Sequence, residues 1–75
     1  MEYKVFKHSI CIDGVHKYSY GIIVTNNDKI LDKYYDISLE KQKVQTLVNN
    51  LNRYEVELIH VKDIIYDFYA ENYWK

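Results

Sequence analysis

The chain has 75 residues, of which 48% are hydrophobic, and its formal net charge at pH 7 is −1. This length limits it to one small domain, residues 1–75, and the hydrophobic content predicts that the chain folds. Acidic and basic residues are scattered along the sequence, which argues against a nucleic-acid binder driven by one basic surface.

Cysteine content and hydropathy bear on the compartment. Cys11 is the single cysteine, so no disulfide can form within one chain, and a lone thiol favours a reducing environment. The first residues, Met1 to Val5, lack the apolar stretch of a secretory signal. No window approaches the roughly 20 apolar residues that cross a bilayer. We therefore expect a cytoplasmic protein with no membrane partner.

The first third of the chain predicts a β-hairpin. Glu2 to Ile12 and Val15 to Thr25 are rich in β-branched and aromatic residues, and Asp13-Gly14 separates them. Asp-Gly between two such segments favours a type I′ turn, which needs positive φ at both central positions. A two-residue loop makes positions whose numbers sum to 27 face each other, so Cys11 should lie opposite His16.

This register divides the hairpin into two faces, because successive side chains of a strand point in opposite directions. The more continuously apolar face is assigned to the core, and it carries Tyr3, Val5, Cys11, His16, Tyr18, Tyr20, Ile22 and Val24. The opposite face, called the second face below, carries Phe6, His8, Ile10, Ile12, Val15, Ser19, Gly21 and Ile23. Its apolar members Phe6, Ile10, Ile12 and Val15 are candidates for a protein interface.

A third strand should follow a second turn. Asn26-Asn27-Asp28 favours that turn, and Lys29 to Tyr35 reads as the strand, although its register stays open because the loop length is undecided. Asp36-Ile37-Ser38 should end the sheet. Ser38 is the expected N-cap of a helix, with Asp36 as the competing cap.

Two helical patterns occupy the rest of the chain. Val44, Leu47, Val48 and Leu51 repeat at helical spacing, as do Val61, Ile64, Ile65 and Phe68. They predict helices from Leu39 to about Arg53 and from Val61 to about Asn72, with an extended segment at Tyr54 to Leu58 between them. The predicted fold class is α+β, a three-stranded antiparallel meander followed by two α-helices packed on one sheet face.

Cys11 and His16 are the side chains with the most obvious chemistry. A thiolate beside an imidazole could act as a nucleophile, but no third residue is marked as the group that would orient the pair. His8 could join them in a zinc site, yet the predicted register places it on the opposite face of the sheet. A small thiol beside a partly exposed histidine is the simpler interpretation.

Other chemical patterns are equally sparse. Asp63, Asp67 and Glu71 recur every four residues and could bind Mg²⁺, but with Lys62 among them they read as a solvated helix face. Neither glycine opens a helix, so no phosphate-binding loop is predicted. We expect no enzymatic activity, no catalytic residue, no metal and no cofactor.

Nine tyrosines are the compositional peculiarity of this chain. Tyr66, Tyr69 and Tyr73 form a stripe on the last helix, and Trp74 follows them. Such aromatic side chains are common interface anchors, although in a small protein they can instead widen the core.

These features predict a small non-enzymatic module that binds another protein or itself, most simply as a homodimer through the second face. The alternative is a nucleic-acid-associated regulatory protein that uses Lys4, Lys7, Lys17 and Arg53 with nearby tyrosines, and the balanced charge disfavours it.

Three short motifs carry a resemblance: Tyr20-Gly21-Ile22, Asp36-Ile37-Ser38, and the segment from His60 to Phe68. The sequence around them, about residues 18 to 69, resembles a family of short proteins of unknown function from clostridia-like Firmicutes. Val61 stands where that family commonly has Leu. The resemblance implies a host but no activity, substrate or cofactor.

Overall fold

The computed structural model describes residues 1–73 and has the order β-β-β-α-α. The strands are β1 (Glu2–Ile12), β2 (Val15–Asn26) and β3 (Lys29–Ser38), and the helices are α1 (Lys41–Arg53) and α2 (Leu58–Tyr73). The strands form one antiparallel sheet in the order β1-β2-β3, and both helices pack on it. The predicted α+β meander is therefore confirmed.

The β1–β2 hairpin has the predicted register. Cys11 lies opposite His16 and Tyr3 opposite Val24, and the pairing continues without a register shift from Glu2 to Ile12. Asp13 and Gly14 have φ values of 52° and 78°, as a type I′ turn requires. The Asp-Gly turn thus fixes which side chains share a face.

The third strand is irregular, and our prediction that it ends at Tyr35 was wrong. Its pairing with β2 shifts twice, once near Leu31 and once between Tyr34 and Ser38. At the second shift Asp36 adopts a φ of 54°, so the chain bulges and then rejoins the sheet. Because a bulge leaves little trace in hydrophobic periodicity, the sequence pattern suggested a strand end instead.

The start of α1 also differs from the prediction. The helix begins at Lys41 rather than Leu39, and its N-cap residue is Glu40, which makes no side-chain cap bond. Ser38, the predicted N-cap, still belongs to β3, and its hydroxyl accepts a 3.0 Å bond from the Glu40 backbone N–H. Asp36, the alternative cap, lies in the bulge. Ser38 therefore shapes the strand-to-helix turn two residues before the helix begins.

The helices are joined by a tight turn rather than by the predicted extended segment. The Val56 N–H bonds the Leu51 carbonyl and the Glu55 N–H bonds the Asn52 carbonyl, which together form a Schellman motif. Glu55 occupies the left-handed position of this motif, with φ 49°. Because the turn closes so soon, α2 begins at Leu58, three residues before the predicted start.

The core lies between one sheet face and the two helices. Its buried residues come from all three strands and both helices: Tyr3, Ile22, Val24, Ile37, Val44, Val48, Leu51, Val61 and Ile65. The predicted α2 stripe is part of it, with Val61 and Ile65 buried and Ile64 and Phe68 packed against them. The molecule is flat, with principal extents of 38 × 32 × 18 Å.

The end of the hairpin extends beyond this core. Every residue from Cys11 to Tyr18 is exposed, and β3 ends opposite Tyr20. We call Ser9 to Tyr18 the hairpin arm. Cys11, His16 and Tyr18 lie on the face that we assigned to the core, and the assignment was wrong for these three because the helices do not reach them.

Candidate protein interface

The four apolar candidates of the second face divide into two pairs. Phe6 and Ile10 are partly buried, whereas Ile12 and Val15 near the arm tip are 43% and 54% exposed. Helices cover only the opposite face, so neighbours on the sheet itself account for the burial of Phe6. The exposed apolar surface is therefore concentrated towards the arm.

Phe6 is held by the β3 bulge. Its ring meets the Tyr35 ring edge-on, with centroids 5.2 Å apart and an interplanar angle of 87°. It also lies over Gly21, where an added Cβ would come within 2.8 Å of ring atom Cε1. The Lys33 ammonium lies over the Phe6 ring, 5.8 Å from its centroid. A face that looked openly apolar in sequence is thus partly closed by β3 side chains.

A polar cluster lies beside Phe6 on the same face. The His8 Nδ1 is 3.1 Å from the Asp36 Oδ1, and the buried Ser19 hydroxyl also donates to Asp36. These bonds, above all the one from His8, lower the pKa of the Asp36 carboxyl. The register pairs His8 with Ser19, but only the bulge brings Asp36 to them, so sequence reasoning missed the cluster.

The connectivity of this cluster differs from that of a hydrolytic triad. In a hydrolytic triad the imidazole stands between serine and carboxylate, so that it can take the hydroxyl proton. Here Asp36 stands in the middle, and the serine hydroxyl is bonded to the carboxylate instead of the imidazole. Asp36 is also the residue of the bulge with a left-handed backbone, so the cluster lies at the bulge itself.

The other chemical candidates lie apart. Cys11 and His16 are register partners on the arm, and both are exposed. His8 occupies the opposite face, as its register position requires. Among the side chains that the structure describes, no three His, Cys, Asp or Glu groups converge in a way that could hold a metal ion.

The outer edges of the sheet, formed by β1 and β3, differ in their hydrogen bonding and regularity. At β1, the Asn52 side chain accepts a 2.9 Å bond from the Tyr3 N–H and donates a 2.8 Å bond to the Tyr3 carbonyl. The Tyr3 hydroxyl donates to the Val56 carbonyl at 2.6 Å. This end of β1 is therefore sealed by α1 and the turn after it. The remainder of β1 is regular, whereas β3 has two irregularities.

The tyrosines of α2 have separate environments. Tyr66 is 60% exposed, while Tyr69 is partly buried, packs against the core and meets Phe68 edge-on. Tyr73 ends α2, but its side chain and the whole of Trp74 lie outside the described residues.

Asp67 and Glu71 line a groove between α1 and α2 with a volume of about 420 Å³, beside Leu47, Ile64 and Phe68.

The cations considered for nucleic-acid binding do not form one surface. By the hairpin register, Lys4 and Lys17 lie on the second face and Lys7 on the other. The Lys7 ammonium is 4.2 Å from the Tyr18 ring centroid, and Arg53 lies against Tyr54 at the end of α1.

Within residues 1–73, neither helix has the length and apolar character needed to cross a membrane.

Comparison with known proteins gives a family but no activity. No curated protein and no solved structure matches the chain. A model of a family of unknown function, DUF6514, matches residues 1–71, which is nearly the whole sequence. The chain therefore belongs to the family of unknown function DUF6514.

Proposed function

We propose that this protein is a small non-enzymatic module that binds protein, in the first instance a second copy of itself. The supporting observation is the hairpin arm. Ile12, Val15 and Tyr18 expose 43%, 54% and 54% of their surface there, and they lie on both faces of a two-stranded ribbon. Isolated ribbons of this kind are marginally stable in water, so a partner that covers the arm would stabilise it.

Sedimentation velocity across micromolar to submillimolar concentrations tests self-association. We expect a concentration-dependent dimer, which the double variant Ile12→Thr, Val15→Thr weakens without loss of circular dichroism. Threonine keeps the β-branch while removing apolar surface. The matched control is Ile59→Thr on α2, because Ile59 is 78% exposed but lies outside the arm. A monomer at every concentration would remove self-association and leave only a different protein as partner.

The alternative is a nucleic-acid-associated protein, and the Lys7–Tyr18 pair on the arm is the observation that favours it. Aromatic rings beside cations can stack on unpaired bases. An electrophoretic shift assay with generic single-stranded DNA and RNA at low salt tests this, because phosphate contacts are strongest there. Absence of a shift under those conditions would end this alternative.

We place the protein in the cytoplasm of a clostridia-like Firmicute. The exposed thiol of Cys11 supports a reducing compartment, since an exposed free cysteine is open to oxidation elsewhere. Immunodetection in fractionated cells of such a host would test the location. Recovery in the extracellular fraction would contradict it.

A further inference from the structure

We propose that two copies associate by antiparallel pairing of β1 with β1, centred on Ser9, to give one continuous six-stranded sheet. This inference rests on the proposed self-association and specifies its geometry. It follows from the condition of the strand edges, because a regular unpaired edge is a template on which another strand can add.

The direction of the β1 backbone groups identifies the open edge. In an antiparallel pair, alternate residues bond the neighbouring strand, and those between them point away. The bonds from Asn52 to the Tyr3 N–H and carbonyl show that Tyr3 points away from β2. The same phase makes the backbone groups of Val5, Lys7, Ser9 and Cys11 point outward.

The β3 edge is the less suitable one. Its two register shifts bend the strand, and bulges commonly protect edges from pairing. By the same alternation, Asp32 and Tyr34 bond Val24 and Ile22 of β2, so the backbone groups of Lys33 between them point outward. A two-fold pairing centred on Lys33 would set two ammonium groups side by side.

The two ends of the open β1 edge define its register. Asn52 seals the edge at Tyr3, and the Asp13-Gly14 turn ends the strand. The open segment therefore runs from Val5 to Ile12, and Ser9 is the outward-pointing residue nearest its midpoint. A two-fold axis at Ser9 pairs Phe6 to Ile12 of the two copies, and the turn of each copy stops before it meets the sealed end of the other.

Charge supports the same register. Centring on Ser9 places Lys7 opposite Cys11 of the second copy, so no like charges face each other within the paired segment. Moving the centre by two residues to Lys7 opposes the two lysines. Moving it instead to Cys11 shortens the paired segment, because the turn then limits the overlap on both sides.

The register also joins the apolar surfaces of the two second faces. Phe6 faces Ile12 of the second copy, and His8 faces Ile10. Since Ile12 is 43% exposed in the single chain, this pairing would cover an apolar side chain near the arm tip. Cross-strand aromatic and aliphatic pairs of this kind stabilise sheets.

A charge-reversal pair at Ser9 provides the test, because the proposed axis brings residue 9 of both copies together. Ser9→Lys and Ser9→Asp should each raise the dimer dissociation constant roughly fivefold at low salt, from like charges placed directly opposite. An equimolar mixture should associate more tightly than either variant alone, and 0.5 M NaCl should reduce that difference. Ser9→Thr is the neutral control. Circular dichroism checks each fold.

Disulfide capture gives an independent readout. In the Cys11→Ser background, Ser9→Cys should cross-link two chains under mild oxidation, since hydrogen-bonded antiparallel partners have Cα atoms about 5.5 Å apart. Val15→Cys in the same background should not, because it lies on the other strand of the arm. A wild-type dimer with no mixing effect and no Ser9→Cys cross-link would overturn this pairing while leaving self-association in place. A wild-type monomer at every concentration would overturn both.

Discussion

Gly21→Ala should destabilise the fold strongly, because Gly21 lies where β3 bulges towards β2. A methyl group there would collide with the Tyr34 carbonyl oxygen and come within 2.8 Å and 3.0 Å of two Phe6 ring atoms. The ring can rotate or shift, but the carbonyl belongs to the backbone of the bulge. The glycine is therefore required by the close approach of two chains.

The magnitude follows from the kind of atom that must move. Inserting a methyl group into a packed site commonly costs about 1–3 kcal/mol, and a backbone shift places this case near or above the upper end, at about 3 kcal/mol. The whole fold should be stable by roughly 4–11 kcal/mol at this length. Gly21→Ala should thus remove a large share of the folding free energy.

Urea denaturation followed by circular dichroism measures the effect. Gly14→Ala is the matched control, because Gly14 also has no side chain but its added Cβ would meet no atom within 4 Å. Its loss should be about 1–2 kcal/mol, from the positive φ alone. If Gly21→Ala proved no more destabilising than Gly14→Ala, the collision with the bulge would be refuted. Rescue of Gly21→Ala by Phe6→Leu would assign the collision to the ring instead.

Three further changes test other parts of the structure. Glu55→Gly should raise the free energy of unfolding by about 1 kcal/mol, because glycine relieves the left-handed position of the helix turn, whereas Glu55→Gln should not. Asn52→Ala should lower the free energy of unfolding by roughly 1–3 kcal/mol, because two hydrogen bonds to Tyr3 are lost. Asn50→Ala should have little effect. Equal losses of stability in the two variants would contradict a role for the bonds to Tyr3. Asp36 has a folded pKa below its unfolded value, so its contribution is complete above about pH 4 and disappears as pH falls through the folded pKa. The stability difference between wild type and Asp36→Asn in urea titrations should therefore shrink on acidification, and a constant difference would contradict the linkage.

The hairpin was predictable because its information is local. Asp13-Gly14 fixes the turn, the turn fixes the register, and the register fixes the two faces. The third strand was not predictable in the same way. Its register depends on where β3 bulges, and Asp36 at the bulge interacts with His8 and Ser19, which are far away in the sequence.

The candidate interface shows the same division. Alternation along β1 correctly grouped Phe6, Ile10 and Ile12 on the side of the sheet away from the helices. It could not show that Tyr35 would cover part of Phe6, or that the helices would stop short of Tyr18. The first outcome depends on the β3 bulge and the second on how far the helices extend along the hairpin, and hydrophobic periodicity encodes neither.

The edges of the sheet give the strongest physical reason to look for a binding role. The fold closes the Tyr3 end of β1 with Asn52 and breaks the regularity of β3 twice, yet it leaves the outer edge of a regularly paired segment of β1 open. That segment carries no bulge and no proline, and one of its faces bears apolar side chains. A two-stranded arm contributes little to a core that it does not touch. A chain that needed only to fold could end its hairpin near Ser9, and the proposed pairing would use the extra length of the arm.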